Sequence, residues 1–160
     1  YELRRAAGEQ HGIADVGYRA IDSLRMEKGY LYWSSDITPD YTPLEAGLGF
    51  RVNFNKGDFI GRDALLQQKE AGLKQRLVTF LLDDYLPLYG SEAVMVDGKV
   101  VGVTSGGNFG YTVGKAIGYG YLPVEIVARG RVEIEAFGKV SPATILTQAA
   151  YDPDNKRLKA

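Results

Sequence analysis

The sequence predicts an α+β fold in which a segment of helices and turns is followed by a small antiparallel β-barrel. The first part of the chain alternates helix-like patterns with glycine and Thr-Pro turns, whereas the later part contains short alternating stretches separated by turns. The length of 160 residues fits one domain, or one domain plus the tail of another. We therefore divide the chain into an α+β segment (1–72), a barrel (73–150) and a polar surface tail (151–160).

The most informative helix of the α+β segment is predicted over residues 19–28. Gly29 follows in the position that favours the end of a helix. An apolar stripe on this helix, which we expect to face the core, consists of Ala20, Ile21 and Leu24.

Other elements of this segment follow from their spacing. We expect the end of a helix at 2–10, a single helical turn at 44–48 and a helix at 61–71 that Gly72 ends. Apolar and polar residues alternate between Phe50 and Phe54, a period of two that predicts a strand.

Short strands separated by turns predict the barrel. The dipeptide Asp97-Gly98 is the strongest signal for a hairpin in the chain. The stretch 105–110 (SGGNFG) is expected to be a glycine-rich bend, with a bulge at Gly106 and Gly107. Strands are expected at residues 77–82, 93–96, 100–104, 116–122, 132–137 and 140–147.

Composition excludes several classes of function. The 19 basic and 20 acidic residues leave a net charge of -1, which argues against a nucleic-acid partner and a polybasic membrane anchor. No cysteine is present and His11 is the only histidine, so no sulfur-ligated or histidine-based metal site is expected. No apolar run approaches the roughly 20 residues of a membrane span. The chain begins with Tyr1 and not with Met, so we expect a piece of a longer polypeptide or a processed chain.

The stretch from Asp22 to Arg62 contains the candidate binding residues. Its aromatic residues could form the flat wall of a pocket for a heteroaromatic ligand, or they could pack in the core. Its carboxylates are more simply explained as solvated or helix-stabilising charges, with Glu27 as an exposed partner of Lys28 and Glu45 as an acid in a first helical turn. The aromatic residues are Tyr30, Tyr32, Trp33 and Phe50, and the carboxylates are Asp22, Glu27, Asp36 and Glu45.

Several spaced motifs resemble the folate-binding family of the glycine cleavage T protein. The pattern D-S-L-R-x-E-K-G-Y stands at 22–30, and W-x-x-D follows at 33–36. The patterns T-P-L-E-A-G-L-G-F and F-I-G-R-x-A-L stand at 42–50 and 59–65. The resemblance covers essentially the whole chain. Within the family, the chain is most similar to the C-terminal halves of sarcosine and dimethylglycine dehydrogenases.

This resemblance implies a function and a set of site residues. It implies that residues 1–72 are the C-terminal part of a folate-binding α+β domain, and that Tyr30, Phe50 and Tyr151 contact tetrahydrofolate. It places the catalytic aspartate and an FAD domain upstream in the same polypeptide, so whether the fragment alone is an enzyme stays open. In such proteins an N-methylated amine is oxidised and its one-carbon unit passes to tetrahydrofolate. The expected compartment is the cytoplasm, or the mitochondrial matrix in a eukaryote.

Two alternatives stay open within the resemblance. One is a T protein, an aminomethyltransferase without flavin; that family carries an arginine just before D-S-L, where this chain has Ile21. The other is a non-catalytic partner like the regulatory subunit of pyruvate dehydrogenase phosphatase. The FIGRDALLQQK segment at 59–69 does not distinguish these alternatives.

Overall fold

The structure is a computed structural model that describes residues 1–159. The helices are α1 (Glu2–Gly8), α2 (Tyr18–Lys28), α3 (Arg62–Ala71) and α4 (Val124–Val127), with 3-10 helices at Glu9–His11 and Gly49–Arg51. The strands are β1 (Gln75–Leu82), β2 (Ala93–Val96), β3 (Lys99–Gly110), β4 (Lys115–Pro123), β5 (Arg131–Ala136) and β6 (Lys139–Leu146). No helix in this described part is long and apolar enough to cross a membrane.

The six strands form a closed antiparallel barrel in the order β1-β4-β3-β2-β5-β6. Strand β1 closes the barrel because it pairs with β4 on one side and with β6 on the other. The hairpin between β2 and β3 turns at Asp97 and Gly98, which both have a positive φ, as the sequence predicted. The mixed helices and closed barrel confirm the predicted α+β fold.

The barrel interior is filled by apolar side chains that alternate along the strands. In β5, Val132, Ile134 and Ala136 are buried while the residues between them are exposed. They pack with Phe80 of β1, which is fully buried. Alternation of this kind is expected where one face of a sheet meets the core and the other meets water.

Strand β4 is buried on both faces. Its inner face contributes to the barrel interior, and on its outer face Met26 of α2 packs against Ile117 and Tyr119. A Cβ added to Gly120 would lie 2.6 Å from the Val103 carbonyl oxygen and 2.9 Å from the Phe80 ring, so a glycine is needed where these groups approach the strand. Helix α2 is thus attached directly to the barrel wall.

The predicted apolar stripe of α2 is wrong. Ile21 and Leu24 are 48% and 55% exposed, whereas Ser23, Met26 and Glu27 face the barrel. The polar residues are buried there because the barrel backbone satisfies them: the Ser23 hydroxyl donates to the Phe109 carbonyl at 2.5 Å. The end of the helix is as predicted, since Gly29 adopts a left-handed φ of 73°.

Two local predictions are also wrong. Residues 50–54 form no strand; a 3-10 helix at Gly49–Arg51 and a turn replace it, because no neighbouring strand pairs with this segment. The stretch 105–110 is not a bend but the second half of β3, although the register shifts between Thr104 and Gly106, where a bulge was expected.

The last described residues differ from the predicted polar surface tail. Residues 156–159 are exposed, but Tyr151 and Asp152 are half-buried and contact the end of α2. The proposed division at 72 and 150 stays a prediction, although β1 begins only three residues after the first boundary, at Gln75.

Candidate functional site

An open cavity of about 560 Å³ lies between the end of α2, the loop that ends at Arg51, the first half of β1 and the segment after β6. Two aromatic side chains are presented to it: Tyr30 is 54% exposed and Phe50 is 75% exposed. Polar residues also line it, including Arg51 and Arg76. Flat apolar faces combined with a few polar groups are typical of sites for small molecules.

Arg25 fixes the position of Tyr30. Its guanidinium donates to the Tyr30 carbonyl at 3.2 Å, and the Tyr30 amide donates back to the Arg25 carbonyl at 2.9 Å. The guanidinium also lies over the Tyr32 ring, 4.0 Å from its centroid, in a cation–π contact. The chain leaves α2 at Gly29 and presents Tyr30 to the cavity in a defined orientation.

Arg25 is in turn held by two carboxylates. Its Nε donates to Asp22 at 2.7 Å, and one terminal nitrogen donates to the fully buried Asp36 at 2.5 Å. Both carboxylates reach strand β3, where Asn108 donates to Asp22 at 3.0 Å and Ser105 donates to Asp36 at 3.3 Å. Burial lowers the pKa of Arg25, but the two aspartates outweigh this effect and raise the pKa, so the group stays charged.

Glu27 and Lys28, which follow Met26, bind the β3–β4 turn and the segment after β6. The Glu27 carboxylate, 2% exposed, accepts hydrogen bonds from the backbone N–H groups of Thr112 and Val113 at 2.6 and 3.0 Å. The interpretation of Glu27 as an exposed partner of Lys28 is therefore wrong. Lys28 instead donates to the Asp152 carboxylate at 2.9 Å and to its carbonyl at 2.5 Å.

Glu45 stabilises the turn beside the cavity. Its carboxylate accepts from the Thr42 amide at 2.9 Å, and its own amide donates to the Thr42 hydroxyl at 3.2 Å, the reciprocal pattern of a capping box. Burial raises the pKa of Glu45, but hydrogen bonds from Thr42 and Gln75 outweigh it and lower the pKa. The predicted helical turn at 44–48 is instead a turn outside any helix, and Glu45, 7% exposed, caps this turn.

The structure brings two of the three predicted binding residues together. Tyr30 and Phe50 line the same cavity. Tyr151 does not line it, although residues on both sides of it do, and its amide donates to the Glu27 carbonyl at 2.9 Å. Of the other aromatic candidates, Tyr32 packs on Arg25, and Trp33 is 68% exposed outside the cavity, so neither is a core residue of the barrel.

Sequence reasoning missed several residues of the cavity wall. Arg51 and Arg76 form no ion pair within residues 1–159, and the Arg51 guanidinium lies over the Phe50 ring, 4.9 Å from its centroid, in a cation–π contact. No motif singled them out, because a lone arginine in a loop or strand resembles any solvated charge. The cavity-lining residues after β6 were also missed, since the sequence predicted only a polar surface tail from residue 151 onward; they are Thr147, Gln148, Ala149, Pro153 and Asn155.

The cavity can bind and orient a ligand, but its lining contains no carboxylate that could take part in proton transfer. Its 21 lining residues contain no Asp or Glu. Within residues 1–159, no three His, Asp or Glu side chains are grouped so that they could hold a metal ion.

A second open groove, of about 590 Å³, lies on another side of the molecule and includes Tyr85, Phe109 and Tyr111. We call it the aromatic groove.

Comparison with known proteins agrees with this architecture. Residues 75–152 match the glycine cleavage T-protein C-terminal barrel domain, and residues 1–56 match the GCVT N-terminal domain. The crystal structure of glycine cleavage system aminomethyltransferase T from Bartonella henselae superposes with a TM-score of 0.84 at 27% identity, over 95% of this chain and 44% of that chain.

Curated relatives cover nearly the whole chain. Human mitochondrial sarcosine dehydrogenase is 43% identical over 99% of this chain, and mouse mitochondrial dimethylglycine dehydrogenase is 44% identical over 99%. An aminomethyltransferase from Caldanaerobacter subterraneus subsp. tengcongensis is 39% identical over 94%. The chain spans 18% and 19% of the two dehydrogenases and 41% of the aminomethyltransferase. The two matching domains, at residues 1–56 and 75–152, and these relatives lead to one conclusion: the chain belongs to the glycine cleavage T-protein family.

Proposed function

We propose that this chain is the folate-binding C-terminal part of a flavin-dependent N-methylamine dehydrogenase of the sarcosine or dimethylglycine type. In the full-length protein, an upstream FAD domain would oxidise the amine, and its one-carbon unit would pass to tetrahydrofolate. One observation carries the proposal. Tyr30 and Phe50, which the resemblance assigns to folate and which stand in separate motifs of the sequence, line one open cavity.

The residues of the cavity fit tetrahydrofolate. Folate combines a flat pteridine with a tail that carries carboxylates. The exposed rings of Tyr30 and Phe50 provide flat faces, and Arg51 and Arg76 provide donors that suit carboxylates. The volume of about 560 Å³ lies within the range of small-molecule sites.

The residues of this chain would bind and position the cofactor. Bound tetrahydrofolate supplies the nitrogen atoms that accept the one-carbon unit. The walls of the cavity would orient it and limit access of water, which favours transfer over loss of the unit as formaldehyde. Since no carboxylate lines the cavity, proton transfer is left to the upstream aspartate that the resemblance implies.

The second candidate is an aminomethyltransferase without flavin. The 39% identity to the Caldanaerobacter aminomethyltransferase and the likeness to the Bartonella structure favour it. Against it stands Ile21, which replaces the arginine expected before D-S-L and is 48% exposed outside the cavity.

Titration of the full-length protein with tetrahydrofolate tests the proposal. We expect saturable heat in calorimetry and a flavin absorption spectrum that is bleached by an N-methylated amine. Saturable binding without any flavin would favour the aminomethyltransferase. Absence of saturable binding in the presence of a folded protein would contradict both folate functions.

A further inference from the structure

One wall of the cavity is held by few contacts. The segment 147–155, which we call the C-terminal wall, follows β6 and contains neither helix nor strand. It nevertheless contributes Thr147, Gln148, Ala149, Pro153 and Asn155 to the cavity lining. Since no sheet hydrogen bonds hold this segment, its position depends on contacts with its neighbours.

These contacts converge on the end of α2. Lys28 Nζ donates to the Asp152 carboxylate at 2.9 Å and to the Asp152 carbonyl at 2.5 Å. The two side chains are 14% and 9% exposed, so water screens this ion pair less than the surface pairs of the chain. The Tyr151 amide donates to the Glu27 carbonyl at 2.9 Å.

The end of α2 is a firm anchor for this wall. Met26 packs against Ile117 and Tyr119 on the barrel, and the Glu27 carboxylate is bound by backbone groups of the β3–β4 turn. Gly29 lies against the wall so closely that a Cβ at this position would be 3.3 Å from the Ala149 Cβ. Movement of the wall therefore requires loss of its contacts with Glu27, Lys28 and Gly29, not movement of the helix.

Asp152 stabilises its own segment as well. It has a φ of 44°, which aspartate and asparagine tolerate better than most residues, and its second carboxylate oxygen accepts from the Lys156 amide at 2.7 Å. Lys28 lines the cavity, but Asp152 does not. An effect of Asp152 on ligand affinity would therefore act through the wall and not through contact with the ligand.

We propose that Lys28 and Asp152 are positioning residues that hold the C-terminal wall in place and so complete the ligand cavity. The proposal rests on the proposed function for the identity of the ligand, tetrahydrofolate. Loss of the ion pair frees the wall and weakens binding of tetrahydrofolate. Oxidation of the amine by the flavin, which takes place in another part of the polypeptide, is unchanged.

Asp152→Asn in the full-length protein tests the pair, because asparagine keeps the backbone conformation and removes the charge. We expect the Kd of tetrahydrofolate to rise about tenfold, the effect of losing one hydrogen bond to a charged group. The rate of flavin reduction by the amine without folate should stay at the wild-type value. Hydrogen exchange of the Tyr151 amide, which needs no ligand, should become faster.

Asp154→Asn is the matched control, since Asp154 lies in the same segment and its side chain is 66% exposed. It should leave both the Kd and Tyr151 exchange unchanged. Lys28→Met, which retains the apolar stem, should accelerate Tyr151 exchange as Asp152→Asn does.

Wild-type exchange and affinity in Asp152→Asn would overturn the proposal. Faster exchange with an unchanged Kd would overturn it too, because the wall would then move without affecting the site. A wild-type protein that does not bind tetrahydrofolate would instead remove the proposed function, and Tyr151 exchange would still decide whether the ion pair holds the wall.

Discussion

At the scale of single residues, the cavity depends on charged groups that are removed from water. Arg25 is only 10% exposed in its side chain and lies between Asp22 and Asp36, the latter fully buried. A planar guanidinium with five donors can serve both carboxylates and the Tyr30 carbonyl together, which an ammonium group cannot do in the same geometry. Arg25 therefore links α2, the loop that carries Tyr30 and strand β3.

Replacement of Arg25 should destabilise the fold. Arg25→Met leaves two carboxylates without their cation, and removal of one partner from a buried pair typically costs about 3–5 kcal/mol. Urea unfolding should show this loss. The control Arg19→Met removes an exposed arginine without an ion pair in the described residues and should change the free energy of unfolding by less than about 0.5 kcal/mol. Equal stability of the two variants would contradict a structural role for the Arg25 cluster.

Sequence reasoning at this scale identified the rings but not the buried charges. Tyr30 and Phe50 stand in recognisable motifs, and the structure places both at one cavity. Their contact with folate stays a prediction. The burial of Glu27 could not be predicted, since its partners Thr112 and Val113 are 85 and 86 residues away. A buried carboxylate and a solvated one have the same local sequence when the partner comes from a distant turn.

At the scale of elements, close packing around glycines decides the shape of the barrel wall. A Cβ on Gly107 would lie 2.3 Å from the Leu88 Cβ, whereas on neighbouring Gly106 it would meet only an Asp36 oxygen at 3.8 Å. Neither glycine has a positive φ. The sequence placed a bulge at both positions, but only the structure separates the crowded glycine from the open one.

Alanine substitutions should therefore differ sharply between the two positions. Gly107→Ala forces Leu88 and β3 apart and should destabilise the protein by about 1–3 kcal/mol or more. Gly106→Ala should be neutral or slightly stabilising, because alanine loses less backbone entropy than glycine in a strand. Thermal unfolding measures both variants. A larger loss of stability for Gly106→Ala than for Gly107→Ala would contradict the crowding at Gly107 and the open space at Gly106.

The location of most elements was predictable, since helices and strands follow local periodicity. The failure at residues 50–54 shows the limit of this signal. Alternating apolar residues specify a strand only if another strand is available to pair with them, and here the segment forms a 3-10 helix and a turn beside the cavity. This departure leaves Phe50 exposed, where a ligand can reach it.

At the scale of the whole molecule, a closed barrel supports a cavity that helix, loop and C-terminal segment complete. The presence of a small barrel was predictable from six turn-separated strands. Its order, with β1 between β4 and β6, was not, because these pairings join residues far apart in sequence. The family models, at 1–56 and 75–152, leave the exact domain division as a prediction.

Two substitutions in the full-length protein test whether tetrahydrofolate binds against Tyr30 and Phe50. Phe50→Ala removes a ring that is 75% exposed, and Tyr111→Ala removes a ring of the aromatic groove that is 79% exposed. Neither variant should unfold the protein. Loss of a stacked aromatic pair is worth about 0.5–1.5 kcal/mol, so Phe50→Ala should raise the Kd by roughly 2- to 13-fold.

Calorimetric titration with tetrahydrofolate gives the Kd of each variant. We expect weaker binding for Phe50→Ala and wild-type binding for Tyr111→Ala. A wild-type Kd for Phe50→Ala, or weakened binding only in Tyr111→Ala, would contradict this expectation and place the folate site elsewhere on the molecule.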